Sequence, residues 1–506
     1  MTPVTGAVDR SPVVRVSAAP GTGRDDRVWD AARDAATDVP VVRTGPTGIA
    51  ELEPLVAVTR DEQTAYFYAP RPSAVRDAVA ALEDGALPTD DADAVVEHDP
   101  GRATLPTPGE GPLAVGRRRV LGPCGWVDPL APGDHEFVSA DRDAGAVADV
   151  GLLGRGRGDA SEDEPVADAW ATARATDGDP VVVVNANEAD DRPRGDRTLL
   201  AGAPMAVLDG LAAIAEYVDA EDAVVFLNES DAALADRVRR AVDAADDLPI
   251  VPQVVAGPDE YRAGEPTAAI EAMEGADRIE PRVQPPTPAE YGLHGRPTVV
   301  HTPRTVAQVQ YALARPEAFD PDDADPGTRL VTVTGDVDAP ATVELPSGGS
   351  LAAAREAVSM AAPFKMAVVG GILGGVTTDL DVNPTGPSLE AADLGTDGVV
   401  ELFGADRCVV ATAGERAQFA AAENSGRCVP GREGTKQLAE LLRDVYDGSL
   451  RAEDIRELGR VMARTSNCQL GAEAPRPVTT AMDEFEPEFR AHADGRCPSG
   501  TCTEEP

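Results

Sequence analysis

Apolar residues recur along this chain with two periods, and the changes from one to the other mark out its expected elements. Near the N-terminus, dense β-branched and aromatic runs predict strands over Val13 to Val16, VPVVRT from Val39, LVAVT from Leu55 and TAYFYA from Thr64. A 3.6-residue period predicts helices over VWDAARDAA from Val28 and PSAVRDAVAALEDG from Pro72. The polar stretch from Pro88 to Gly116, rich in Asp, Pro and Gly, reads as a linker. Strand-like VVVVNA from Val181, AVVFLN from Ala223 and LPIVPQVV from Leu248 then alternate with helical PMAVLDGLAAIAEYV and DAALADRVRRAVDAA, which predicts a parallel or mixed sheet covered by helices. After the breaker PEAFDPDDADPG, the run from Arg329 to Val358 predicts two strands and a helix in a compact module. Beyond Gln437 the helical period dominates, with Leu438, Leu441, Leu442 and Val445, then Ile455, Leu458, Val461 and Met462, each set on one face.

These patterns predict an α/β chain in segments: a small unit of thioredoxin-like order at 1–100, a Rossmann-like core at 111–316, a β-grasp module at 328–395, a helical bundle at 405–490 and a frayed tail at 491–506. A length of 506 residues calls for several cores.

Composition narrows the setting. Lys plus Arg at 45 against Asp plus Glu at 88 gives a net charge of −43, and Lys365 and Lys436 are the only lysines. Such a surface repels itself in dilute buffer and is screened in strong salt, so a salt-rich cytoplasm is the expected location. It opposes contact with nucleic acid. MTPVTGAVDRSPVV lacks the basic start and apolar stretch of a secretion signal, and MAVVGGILGGV from Met366 is too short to span a bilayer, so any membrane association is expected to be peripheral, through a partner. Six scattered cysteines predict reduced thiols, with Cys124 and Cys408 as small core residues. His301 is expected to be a surface or core histidine, with no second His or Cys at metal spacing.

Several strings carry a resemblance. GLLGRGRG from Gly151 offers a glycine loop of the kind that closes on a phosphate; VVVVNANEADDRPRGDR places Asn185, Asn187 and Glu188 at a strand end; and YRAGEPTAAIEAMEG places Gly264 and Glu265 in a second turn. Together with the long Pro-punctuated EPRVQPPTPAEYGLHGRPTVV from Glu280, they resemble the NADH-binding flavoprotein subunit of NADH:quinone oxidoreductase (complex I) and its relatives in NAD-linked hydrogenases and formate dehydrogenases. The resemblance spans almost the whole chain. It implies FMN held near Gly154, Arg155, Gly156, Asn185, Asn187 and Glu188, NADH stacked on the flavin near Gly264 and Glu265, an SLBB-type β-grasp module, a helical [4Fe–4S] domain, and redox-complex subunits as partners.

The same strings show what has been lost. In the hydrogenase-type relatives a thioredoxin-like domain binds a [2Fe–2S] cluster; here its four ligand positions fall on Ala19, Arg24, Pro46 and Ala50, so that cluster is expected to be absent and the domain structural. A [4Fe–4S] cluster needs a thiolate at each iron. The family's cluster loop falls on NSGRCVPGREGT and TSNCQLG, where Cys428 and Cys468 persist while Ser425 and Gly431 hold the other two positions. Cys497 and Cys502 of the tail string GRCPSGTC could complete four thiols only by folding back on that pair, and a truncated remnant is the simpler expectation. The acidic DASEDEPVADAW, with Ala169 at the position of the family's lysine, replaces a cation beside the flavin phosphate. Two readings follow: a degenerate, redox-silent scaffold or regulatory subunit, and alternatively an FMN-dependent NADH:acceptor oxidoreductase of the diaphorase kind, in which the flavin would do the chemistry.

Overall fold

The computed structural model of the chain describes residues 11–17, 23–99, 101–139, 142–161, 163–246 and 248–502. Of the four expected [2Fe–2S] positions, Ala19 and the Arg24 side chain lie outside the described residues, as do 503–506 of the tail.

Three sheets organise the described residues. The first comprises β1 (Val13–Ser17), β2 (Val41–Thr44), β3 (Leu55–Arg60), β4 (Gln63–Tyr68) and β5 (Ala94–Glu97), in the order β2-β1-β3-β4-β5. β1 and β2 are parallel and the rest antiparallel, with helices Gly23–Ala35 and Pro72–Glu83 packed on the face that buries Val14, Val16, Val56 and Val58. β5 corrects the expected linker. AVVE pairs with β4 but is half-buried on one face and exposed on the other, so a four-residue edge strand is lost among the polar residues around it.

The second sheet holds β6 (Val181–Ala186), β7 (Asp222–Asn228), β8 (Gln253–Gly257) and β9 (Thr298–His301), parallel throughout in the order β8-β7-β6-β9. β6 is buried at every residue, as its uninterrupted apolar run requires for a strand covered on both faces. Helix Pro204–Val218 crosses helix Pro303–Ala314 at Gly210, where an added Cβ would lie 2.4 Å from the Val306 carbonyl oxygen. The chain runs outward from β6 to β7 and β8 and returns on the other side as β9. The switch between β6 and β9 opens a crevice at their carboxyl ends.

The third sheet is larger than expected. β10 (Thr328–Gly335), β11 (Ala341–Pro346), β12 (Phe364–Val369), β13 (Gly375–Thr377) and β14 (Val399–Gly404) run in the order β11-β10-β14-β12-β13, and the anticipated helix is a 3-10 helix, Leu351–Ala357. β14 pairs with both β10 and β12, so the module extends to Gly404, past the expected border at 395. Its core is continuous with the first sheet: Leu55, Ala57 and Tyr66 join Val331, Val343 and Val400 in one cluster. The buried Glu344 carboxylate fixes the intervening segment by accepting the backbone N–H groups of Arg119, Val120 and Leu121.

The helical end consists of Val409–Glu423, Thr435–Tyr446, Ala452–Thr465, Gln469–Glu473 and Arg476–Ala493. The expected frayed tail is corrected through residue 502: Cys497 and Cys502 pack against the helical core, because Cys408 and His492 give them partners. Among the described residues no single helix is long and apolar enough to cross a membrane.

Candidate functional site

A cavity of about 530 Å³ opens at the carboxyl ends of β6 and β9 and extends to the helical end, touching Gly154, Asn185, Glu265, His301, Ser425 and Cys468. It thus brings together the glycine loop, the strand-end asparagine, the second turn and the cluster loop. Arg155, Gly156 and Gly264 also line it, whereas Asn187 and Glu188 are not among its lining residues.

The glycine loop is held from below by buried ion pairs. The Arg155 guanidinium turns inward to Asp325 at 2.6 Å and to the carbonyls of Pro326 and Thr328 at 3.2 Å each. Asp325 also takes Arg329, which reaches Asp163 at 2.6 Å. Arg157 pairs with Asp159 at 2.7 Å and lies 3.9 Å over the Tyr261 ring. Arg304 donates to the carbonyls of Arg155 and Asp397, both at 2.9 Å. Apart from the glycine-loop Arg155, these arginines were missed in the sequence: Arg304 and Arg329 reach Asp397 and Asp163 in distant segments, and the local pairs Arg157–Asp159 and Arg329–Asp325 do not stand out in so acidic a chain.

The other expected site residues also have defined partners. Asn185 donates to the Gly264 carbonyl at 3.0 Å, and Asn187 donates to the Pro258 carbonyl at 3.1 Å. Glu265 caps helix Pro266–Met273, accepting from the Ala268 N–H and the Thr267 hydroxyl at 2.6 Å each. A Cβ on Gly264 would sit 2.4 Å from the Arg157 guanidinium and would have to displace it. Burial and the nearby Asp397 carboxylate push Glu188 well above the usual carboxylate range, and its Oε1 has no hydrogen-bond partner. Burial likewise raises Asp397 to about 6. His301 accepts from the Trp170 indole at 2.8 Å, and burial lowers its pKa to about 4, so it is neutral at pH 7.

Around the cluster loop, a π-helical turn, Pro430–Gly434, leads into Thr435–Tyr446. A Cβ on Gly431 would lie 3.0 Å from Cys428 Sγ and 3.6 Å from Cys468 Sγ. Its bond therefore points between the two thiols, where a third would have to enter. Burial opposes ionisation of Cys428, but N–H groups of Asn467 and Gly431 hold its thiol below the ordinary value, while burial raises Cys468 to about 11.

Residues 147–311 match the Nuo51 FMN-binding domain, and 411–492 match the NADH-ubiquinone oxidoreductase-F iron-sulfur binding region. The NADP-reducing hydrogenase subunit HndC of Solidesulfovibrio fructosivorans is 28% identical over 420 residues, covering 75% of this chain and 84% of its own. The F-type subunit of NADH-quinone oxidoreductase from Mycobacterium tuberculosis (strain ATCC 25618 / H37Rv) is 31% identical over 388 residues, covering 70% of this chain and 85% of its own. The chain belongs to the family of NADH-quinone oxidoreductase F-type subunits. In fold it is similar to a chain of the NAD+-reducing [NiFe]-hydrogenase in its H2-reduced state, with a TM-score of 0.66 at 22% identity over 96% of this chain and 85% of the other.

The two cofactors that the F-type family implies meet different surroundings in this member. For a flavin ring the cavity fits: Gly154 presents bare backbone to it, with only the Glu164 carbonyl, at 3.6 Å, near the place of a Cβ. The expected phosphate cradle does not fit. The N–H groups of Gly154, Arg155 and Gly156 already donate to the Glu164 carbonyl, the Thr305 hydroxyl and the Asp163 carboxylate. Asp163, from the acidic string expected to replace the family's lysine segment, thus sets a protein carboxylate against the Gly156 N–H. Nor does a [4Fe–4S] cluster fit. Ser425 supplies a hydroxyl and Gly431 nothing, and the tail thiols gather at Cys408 and His492 instead of at Cys428 and Cys468.

Proposed function

We propose that this member of the F-type family is a redox-silent scaffold or regulatory component of a multi-subunit redox complex. The observation that carries the reading is the cluster loop, where two thiols face a glycine at a ligand position. Without a one-electron relay, electrons arriving at the crevice have no conductor to a partner. The framework supports this role: buried arginine networks and tight glycine contacts hold the fold, while by the resemblance Ser425 and Gly431 stand at two of the four cluster-ligand positions. HndC and the Mycobacterium tuberculosis relative are named as subunits of a hydrogenase and of a quinone oxidoreductase, and partners of that kind, in a salt-rich cytoplasm, are proposed for this chain.

A second reading, a flavin-only diaphorase, is favoured by the glycine-walled cavity. FMN would supply hydride acceptance; the chain would contribute the Gly154 backbone and the Asn185 to Gly264 hydrogen bond that shapes the wall. One preparation tests both readings. The scaffold predicts colourless protein in high salt that reduces no dye with NADH. A yellow protein that does so would replace it with the diaphorase.

A further inference from the structure

We infer that Cys408, His492, Cys497 and Cys502 form a Cys3His zinc site that fastens the C-terminal segment to the helical end of the fold. One ligand atom from each lies within 4.8 Å of all the others. With bonds of about 2.3 Å to sulfur and 2.0 Å to nitrogen, ligand atoms around a tetrahedral zinc stand roughly 3.5–3.8 Å apart. Here Cys408 Sγ is 3.3 Å and Cys502 Sγ 3.7 Å from His492 Nε2.

Each ligand is oriented by its own surroundings. Cys408 caps helix Val409–Glu423 directly after β14, and its sulfur accepts the Ala411 N–H at 3.4 Å. His492 places Nδ1 2.8 Å from the Glu488 carbonyl, so the proton sits there and the Nε2 lone pair faces the three sulfurs. Cys497 and Cys502 flank a short turn closed by the Gly500 N–H on the Cys497 carbonyl. Cys497 Sγ is held 3.0 Å from the Ser499 hydroxyl inside this turn.

Three sulfurs and an imidazole converging on one point leave no open coordination position, as in a structural site, and thiolate with imidazole in tetrahedral array selects zinc. A cubane would carry its ligands on separate irons and spread them wider than a single ion does. The site therefore adds no electron carrier. It ties the segment after Ala493 to the start of the first helix of the bundle, independently of Cys428 and Cys468, so its metal and the lost cluster can be assayed separately.

The test is elemental analysis of the full chain purified in high salt, combined with Co2+ exchange. About one zinc per chain is expected, and Co2+ should give the visible bands of a tetrahedral thiolate site, bleached by one equivalent of Zn2+. Cys497→Ser should lower bound zinc at least tenfold, while His492→Cys retains it. The wild-type Co2+ titration reads the site even if a variant misfolds. Absence of zinc together with no tetrahedral Co2+ spectrum, or iron and sulfide lost on Cys497→Ser, would overturn the assignment.

Discussion

Arg155 shows how a motif residue can be kept for a reason other than the one its motif suggests. In the glycine loop it looks like an anion binder, yet its guanidinium is buried against Asp325, with both side chains at most 3% exposed. Removing one partner of a buried pair strands the other charge, so Arg155→Ala should cost about 3–5 kcal/mol in denaturant unfolding of the ligand-free chain. A residue kept only to bind a phosphate would leave that stability unchanged. His301 yields a pH prediction. Its folded value, about 4, lies below the ordinary 6.5, so its contribution is complete above pH 6.5 and is lost as pH falls through 4. The unfolding midpoint of His301→Asn should therefore fall less than that of the wild type between those limits, as urea titrations at several pH values would show. What the sequence could not supply at this scale were partners: Asp163, Asp325 and Asp397 reach their arginines across long separations, and no local pattern encodes such pairings.

At the level of elements, legibility followed burial. β6 and β7, β-branched runs buried along nearly their whole length, were clear, and so were helices with one apolar face. β5 was hidden because half of it faces solvent, and β14, which lies beyond the expected border at 395, because its partners β10 and β12 are distant in sequence. The Cys408 and His492 ligands escaped notice because a whole helical bundle separates them, so spacing rules built on neighbouring ligands do not reach them. The crossing of helices Pro204–Val218 and Pro303–Ala314 admits a direct test. Gly210→Leu must displace the Val306 carbonyl, and a loss of roughly 1–3 kcal/mol is expected from thermal or chemical unfolding. An unchanged midpoint would mean that the two helices are not in contact at this point.

For the molecule as a whole, a net charge of −43 makes stability a function of salt. Raising ionic strength from about 0.1 to 1 M shortens the screening length from about 10 to 3 Å, so the thermal midpoint should climb over that range and level off above it. A midpoint indifferent to salt would contradict the proposed salt-rich setting. Family and fold were legible from the strings around Gly154, Asn185 and Glu280, and the expectation that Ser425 and Gly431 replace two cluster ligands rests on the same resemblance. The closed phosphate cradle was not, since Asp163 meets the Gly156 N–H only in three dimensions. The central claim is that two thiols cannot hold a cubane, and it is tested most directly by iron and acid-labile sulfide per chain after anaerobic reconstitution. The Ser425→Cys/Gly431→Cys variant serves as the positive control and should gain about four of each. The wild type is expected to hold no sulfide; about four sulfides in the wild type, lost on Cys428→Ser, would contradict the account.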